Sequence, residues 1–173
     1  MINYLCSVYV IKLISRGLFM TEKELRVRKI RDGTVIDHIS AGTALEVLKI
    51  LGLTGKKGYT ISILINTPSS KLVKKDVVKI EGRELDPKEV DKIALISPRA
   101  TINIIRNYEV VEKQRVSLPS IVTGFPRCVN PNCIINSREP ALPSFTVISK
   151  DPVRIRCKYC NTIMEFEDIL SNI

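Results

Sequence analysis

Tryptophan is absent, histidine occurs once, and aromatic residues make up only 5% of the 173 residues. So few rings cannot furnish the stacked platform on which a β-sheet reads single-stranded RNA. One histidine, no nucleophile motif and no paired carboxylates leave little for acid–base or covalent catalysis. No Gly-x4-Gly-Lys-Ser/Thr loop and no Gly-x-Gly-x-x-Gly occurs, so a nucleotide would have to be held without a standard phosphate cradle. Uninterrupted apolar runs are missing too. The apolar patches of Met1 to Phe19 are broken by Lys12 and Arg16, short of the roughly 20 residues a spanning helix needs. That stretch also lacks the leading positive charge and the small residues of a secretory signal. Residues 1–23 therefore read as an N-terminal extension that is dispensable, with Cys6 a bystander and Met20-Thr21-Glu22-Lys23 a more natural start. A cytoplasmic chain is expected, with no membrane partner.

What is present suffices for real cores, since 45% of residues are hydrophobic and 26% charged. Four of the five cysteines form two close pairs, Cys128-x4-Cys133 and Cys157-x2-Cys160, with 23 residues between them. Paired spacing of this kind brings four sulfurs to the corners of a tetrahedron around one Zn²⁺, at about 2.3 Å from each. Two structural disulfides are the alternative, and those belong to secreted chains. With four thiolates the coordination shell is closed, so such a zinc would be structural and not catalytic. The formal charge of +9 invites a nucleic-acid reading, but Arg127, Arg154, Arg156 and Lys158 flank the cysteines and would offset the negative charge of a zinc–thiolate centre. Acidic small molecules and acidic protein surfaces are equally eligible partners.

Between residues 24 and 116 the periodicity implies one unit. Leu25 to Ile30 alternates as a strand, Asp32-Gly33 turns or bulges, and Thr34 to Ile39 continues extended. Ser40 can cap a helix from about Gly42 to Leu51. Tyr59 to Ile65 alternates until Thr67-Pro68-Ser69-Ser70 breaks the strand, and another lies near Lys75 to Ile80. Asp86-Pro87-Lys88-Glu89 is a capping-box helix start, and Ser97-Pro98 a stop. Thr101 to Arg106 is the last regular strand, with Glu109 to Lys113 a short extended exit. The order β-α-β-β-α-β is the ferredoxin-like arrangement, so the fold class is α+β. Its two middle strands would present Val27, Lys29, Val77 and Lys79, none aromatic. Asp37-His38 interrupts an apolar strand, and Lys75 and Lys79 share one strand face. With Asn103 and Lys113 they could grip phosphate, ribose and base together, although Asp37-His38 also suits a strand end facing solvent and the two lysines a solvated edge. Residues 117–173 open on Ser117-Leu118-Pro119-Ser120, a stiff connector, and then read as a small all-β domain too thin to fold without its metal. Phe145 to Ile148 and Val153 to Arg156 suit a hairpin and Thr162 to Phe166 a further strand.

Several stretches taken together resemble the regulatory chain of aspartate carbamoyltransferase. They are Gly33-Thr34-Val35-Ile36-Asp37-His38-Ile39, Lys75-Asp76-Val77-Val78-Lys79-Ile80-Glu81, Asn107-Tyr108-Glu109-Val110-Val111, Ser117-Leu118-Pro119, and the cysteine quartet ending Cys157-Lys158-Tyr159-Cys160. The resemblance runs collinearly from Leu25 to the C-terminus. It implies a regulatory subunit in pyrimidine biosynthesis that is not itself an enzyme. Its first domain would bind ATP or CTP and pair with a second regulatory chain, and its zinc domain would dock on catalytic chains. It further implies that Val27, Arg28, Lys29 and Ile30 line the base, that Val35, Asp37 and His38 face ribose and phosphates, and that Lys75 and Lys79 lie beside base and sugar. Asn103, Tyr108 and Val110 would complete the wall, and Lys113 would bind phosphate. Glu24, next to Lys23, stands where relatives carry a lysine, and Arg28 replaces an acidic residue. The insert Asn136 to Pro143 is either a contact loop for the catalytic chain or an ordinary exposed loop. A zinc-ribbon nucleic-acid binder is the competing reading.

Overall fold

The computed structural model describes residues 27–53, 55 and 58–173. The expectations for the extension, Cys6 and Glu24 lie outside the described residues. In chain order the first unit comprises β1 (Gly33–Ile39), α1 (Ala44–Ile50), β2 (Ile61–Ser69), β3 (Val73–Glu81), α2 (Pro87–Ile96), β4 (Thr101–Arg106) and β5 (Glu109–Arg115). Its five strands form one sheet in the order β2-β3-β1-β4-β5, every neighbouring pair antiparallel. A second sheet, β6 (Ile121–Thr123), β7 (Ser144–Lys150), β8 (Val153–Cys157) and β9 (Ile163–Met164), follows in simple meander order and leads to α3 (Phe166–Ser171).

Strand parity divides the first sheet into two faces. Ile36, Val78, Ile80, Ile102 and Ile104 are buried with Ala44, Val47 and Leu48 of α1 and Ile93 to Ile96 of α2. The alternate residues Val35, Asp37, Lys75, Val77, Lys79 and Asn103 are only half-buried and share the other side. Gly33 is needed where β1 meets β3: its φ is +136°, and a Cβ there would lie 2.1 Å from the Ile80 carbonyl oxygen. The α2 start is the expected box, with Asp86 accepting from the Glu89 amide at 2.8 Å and Glu89 accepting from the Asp86 amide at 3.1 Å.

Several expectations need correction. Val27 to Ile30 form no strand; the carbonyls of Val27 and Arg28 accept from Lys79 Nζ at 3.3 and 2.9 Å, a side-chain bond where a strand would have a ladder partner. Pro68 does not end β2, which bulges at Asn66 and runs on to Ser69. Because β2 is an edge strand, proline's missing N–H forfeits no ladder bond. Glu109 to Arg115 is a full strand on the opposite edge. Ser40 does not cap α1: the buried carboxylate of Asp76, on β3, accepts from the Gly42 and Ala44 amides at 2.8 and 3.1 Å. The C-terminal unit is not all-β. Its last strand shortens to two residues because the Glu165–Asp168 capping box starts α3, which buries Ile169.

The two sheets share one continuous buried cluster, bridged through Val116, Leu118 and Val122. Arg99 pairs with Asp151 across the junction, and the Lys92 ammonium sits 5.5 Å from the Phe125 ring centre. Among the described residues no helix is long and apolar enough to cross a membrane.

Candidate functional site

Two constellations stand out, one on each sheet. In the C-terminal unit, Cys157 ends β8 and Cys160 follows a turn in which the Cys157 amide donates to the Thr162 carbonyl at 2.9 Å and the Asn161 amide to the Cys157 carbonyl at 3.1 Å. Cys128 and Cys133 flank the Asn130-Pro131-Asn132 turn, closed by the Cys133 amide on the Asn130 carbonyl at 3.1 Å. The Asn136 side-chain amide clamps this loop, donating to the carbonyls of Cys128 and Asn130 at 2.7 and 2.8 Å. As a result the four sulfurs lie within 4.8 Å of one another, with Cys128–Cys160 at 3.6 Å and Cys133–Cys157 at 3.7 Å. Disulfide sulfurs would be about 2.05 Å apart. Four sulfurs at about 2.3 Å from a tetrahedral zinc stand about 3.8 Å from each other. The geometry fits the ion and not the disulfide pairing.

The electrostatics agree. Burial pushes the Cys128 thiol up to about 12 and raises Cys133 as well. Burial acts on Cys160 in the same direction, but the hydroxyl and backbone amide of Thr162 outweigh it and bring that thiol down to about 6. Holding four thiolates in so small a space calls for a cation among them. Of the flanking cations, Arg154 is committed to Glu165 at 2.9 Å, while Arg127, Arg156 and Lys158 remain exposed. Asn136 is turned inward by its clamp, so the insert's exposed chemistry belongs to Arg138, Glu139 and Leu142.

On the helix-free face of the first sheet, register places Lys79, Val35, Asn103 and Lys113 side by side on β3, β1, β4 and β5. The Asn103 amide donates to the Val35 carbonyl at 3.2 Å. Two positions along, the β1–β3 pairing slips between Ile36 and Ile39, and His38 adopts a left-handed φ of 59°. This bulge lets consecutive residues reach one place, which a regular strand forbids. The Asp37 carboxylate takes Lys75 Nζ at 2.7 and 2.9 Å and lies 3.2 Å from His38 Nδ1. Burial lowers the His38 pKa; Asp37 opposes this, and Lys75, Lys71 and Lys113 reinforce it. Burial also lowers Lys79. Of the remaining predicted residues, Ile30 is buried and Val27 half-buried, while Arg28, Lys29, Tyr108 and Val110 are exposed. The Tyr108 amide ties the β4–β5 hairpin to the Arg31 carbonyl at 2.9 Å. Among the described residues cations therefore outnumber the one carboxylate on an open, partly apolar face, an arrangement suited to an anionic ligand with a flat hydrophobic part.

Asp76 and Asn136 were not among the residues singled out from sequence. Asp76 carried a signal, since it stands at the inward parity of β3 with Val78 and Ile80. Its second oxygen accepts from the Asn66 amide at 2.8 Å, so one carboxylate pins the β2 bulge and the start of α1. Asn136 carried none.

Comparison with known proteins adds two family models. Residues 25–117 match the allosteric domain, and 120–170 the metal binding domain, of the aspartate carbamoyltransferase regulatory chain. Relatives named as that chain include those of Korarchaeum cryptofilum, 58% identical over 88% of this chain and 98% of the relative, and Thermofilum pendens, 56% identical over 88% and 96%. That of Pyrococcus furiosus is 52% identical over 87% of this chain and 99% of its own.

Proposed function

The chain belongs to the aspartate carbamoyltransferase regulatory chain family, and from that premise we propose how its two sites divide the work. It is a non-catalytic subunit of a pyrimidine-biosynthesis enzyme, with an allosteric and a metal-binding domain. The allosteric domain spans residues 24–116, has the ferredoxin-like arrangement with β5 added outside β4, and binds ATP or CTP on the sheet face. Residues 117–173 hold one structural Zn²⁺ through Cys128, Cys133, Cys157 and Cys160 and dock on catalytic chains. A second regulatory chain completes a dimer, and the assembly works in the cytoplasm, without nucleic acid or membrane.

The observation that carries the effector reading is the row Lys79, Val35, Asn103 and Lys113 beside the Asp37–His38–Lys75 cluster. Lys113 and His38 would meet phosphates, Asp37 and Lys75 the ribose. The carbonyls that Lys79 holds, with Ile30, Tyr108 and Val110, would meet the base. The zinc, when bound, supplies the charge that keeps four thiolates together and thereby shapes the docking loops. Regulation follows from linkage: a nucleotide preferring one quaternary state shifts the catalytic assembly by no more than its difference in affinity, typically about 1–3 kcal/mol. The zinc-ribbon nucleic-acid alternative has the net charge and the cysteine cluster in its favour but lacks aromatics, since Val77 and Lys79 replace stacking rings at mid-sheet.

The test is to purify the full chain with an untagged carbamoyltransferase catalytic chain, count zinc, and titrate activity with ATP and CTP. One zinc per chain, co-elution and a saturable response are expected. A metal-free chain, or an assembly indifferent to both nucleotides, overturns the reading.

A further inference from the structure

Next to the effector face lies a hollow of which the reading above uses only His38. It encloses about 310 Å³ and is walled by His38, Lys71, Leu72, Arg99, Thr101 and Arg115 among others. Thr101 and Arg115 are register partners, two positions along β4 and β5 from Asn103 and Lys113. Side chains two apart on a strand share a face, so the hollow prolongs the row of cations. Among the described residues none that lines it is acidic. The charges of Lys71 and Lys113 both reach His38. A basic recess continuous with a phosphate-binding lysine suits the far end of a polyphosphate.

Arg99 has a second allegiance. Its guanidinium pairs with Asp151 in the β7–β8 turn, on the other sheet. Both side chains also line the crevice of about 610 Å³ that separates the two units. They are 62% and 71% exposed, and ion pairs so open to water are weak. A phosphate group, more highly charged and able to accept from the guanidinium in bidentate fashion, is a stronger partner than one solvated carboxylate.

We infer that the hollow receives the terminal phosphates of a nucleoside triphosphate, and that Arg99 leaves Asp151 to bind them. The inference rests on the nucleotide reading of the same face. It makes the contact between the units depend on phosphate count: a triphosphate releases the Arg99–Asp151 tie, whereas a monophosphate stops short of Arg99 and leaves it in place. The signal to the docking domain is then a competition for one guanidinium.

The experiment uses the full-length, zinc-loaded chain assembled with catalytic chains, titrated calorimetrically with CTP, CDP and CMP. Arg99→Ala should weaken CTP about tenfold and leave CMP within about twofold. Asp151→Asn frees the guanidinium and should tighten CTP about two- to fivefold, with CMP unchanged, and this gain should vanish in the Arg99→Ala background. An Asp151→Asn variant that binds CTP no better than wild type, or changes of equal size for CMP and CTP, would overturn the competition while the nucleotide reading stands. A wild-type assembly that binds none of the three and no ATP would remove the nucleotide reading and the inference with it.

Discussion

The two sites are held in opposite ways. On the sheet face, residues from four strands are aligned by backbone register, over a core of Ile36, Val47, Val78, Ile80 and Ile93 that exists without them. In the C-terminal unit the sulfurs are themselves much of the interior: Cys128, Cys133 and Cys157 are buried beside Phe145, Ile155 and Met164. A side chain on the first site can be removed without removing its scaffold. A ligand of the second cannot, because the thiols and the metal they imply are the scaffold.

The largest expected effect follows directly. Chelation, or Cys133→Ala, should unfold β6 to β9 and release catalytic chains that retain activity, since structural zinc is worth about 10–16 kcal/mol in small metal-built domains. Hydrogen exchange should show those strands deprotected while β1 to β4 stay protected. Persisting protection of β7 and β8 would break the contrast. Next in size is Asp76→Ala, which strips three amides of a buried acceptor. A loss of about 2–4 kcal/mol in denaturant melts is expected, larger than for any lysine of the sheet face. Lys79→Ala and Lys113→Ala should each weaken CTP about tenfold, with zinc content and melting midpoint unchanged. A fall in zinc content would mean the two sites are not separable.

The smallest effect is a slope with pH. Because the folded-state pKa of His38 lies below its ordinary value, the unfolded chain binds more protons between the two. Its contribution to stability is therefore lost as pH falls through the ordinary histidine range. A phosphate entering among His38, Lys71, Lys75, Lys113, Arg99 and Arg115 adds negative charge and raises that pKa, so CTP binding should take up a proton and tighten as pH drops from about 8 to about 6. His38→Gln should flatten the part of this slope that is not the nucleotide's own; an identical slope in the variant would show that the imidazole takes no part.

What could be read from sequence was local. The α2 box is written in Asp86-Pro87-Lys88-Glu89, and the cysteine spacing alone announces a four-sulfur cluster. Most of the misreadings involve partners distant in the chain. Glu109 to Arg115 has no apolar face of its own, because β5 lies exposed along β4 and owes its extension to that pairing. Pro68 stops a strand only where its amide would be needed, and the edge position of β2 is a property of topology. Asp37 and His38 could be suspected, but not the bulge that brings both to Lys75, which depends on β3. The α3 helix has six residues and an uncommon glutamate cap, too little periodicity to stand out from the preceding strand.

The bulge at Asn66 and the proline two residues on have a consequence for assembly. The margin of β2 is in regular register only from Ile61 to Leu64, where Ile63 is exposed; beyond it the backbone kinks and Pro68 lacks a donor. A strand arriving from another molecule could zip onto those four residues and would be halted there. The same margin that offers a neighbour a foothold thus sets the length of any seam and denies an endless stack of chains its template.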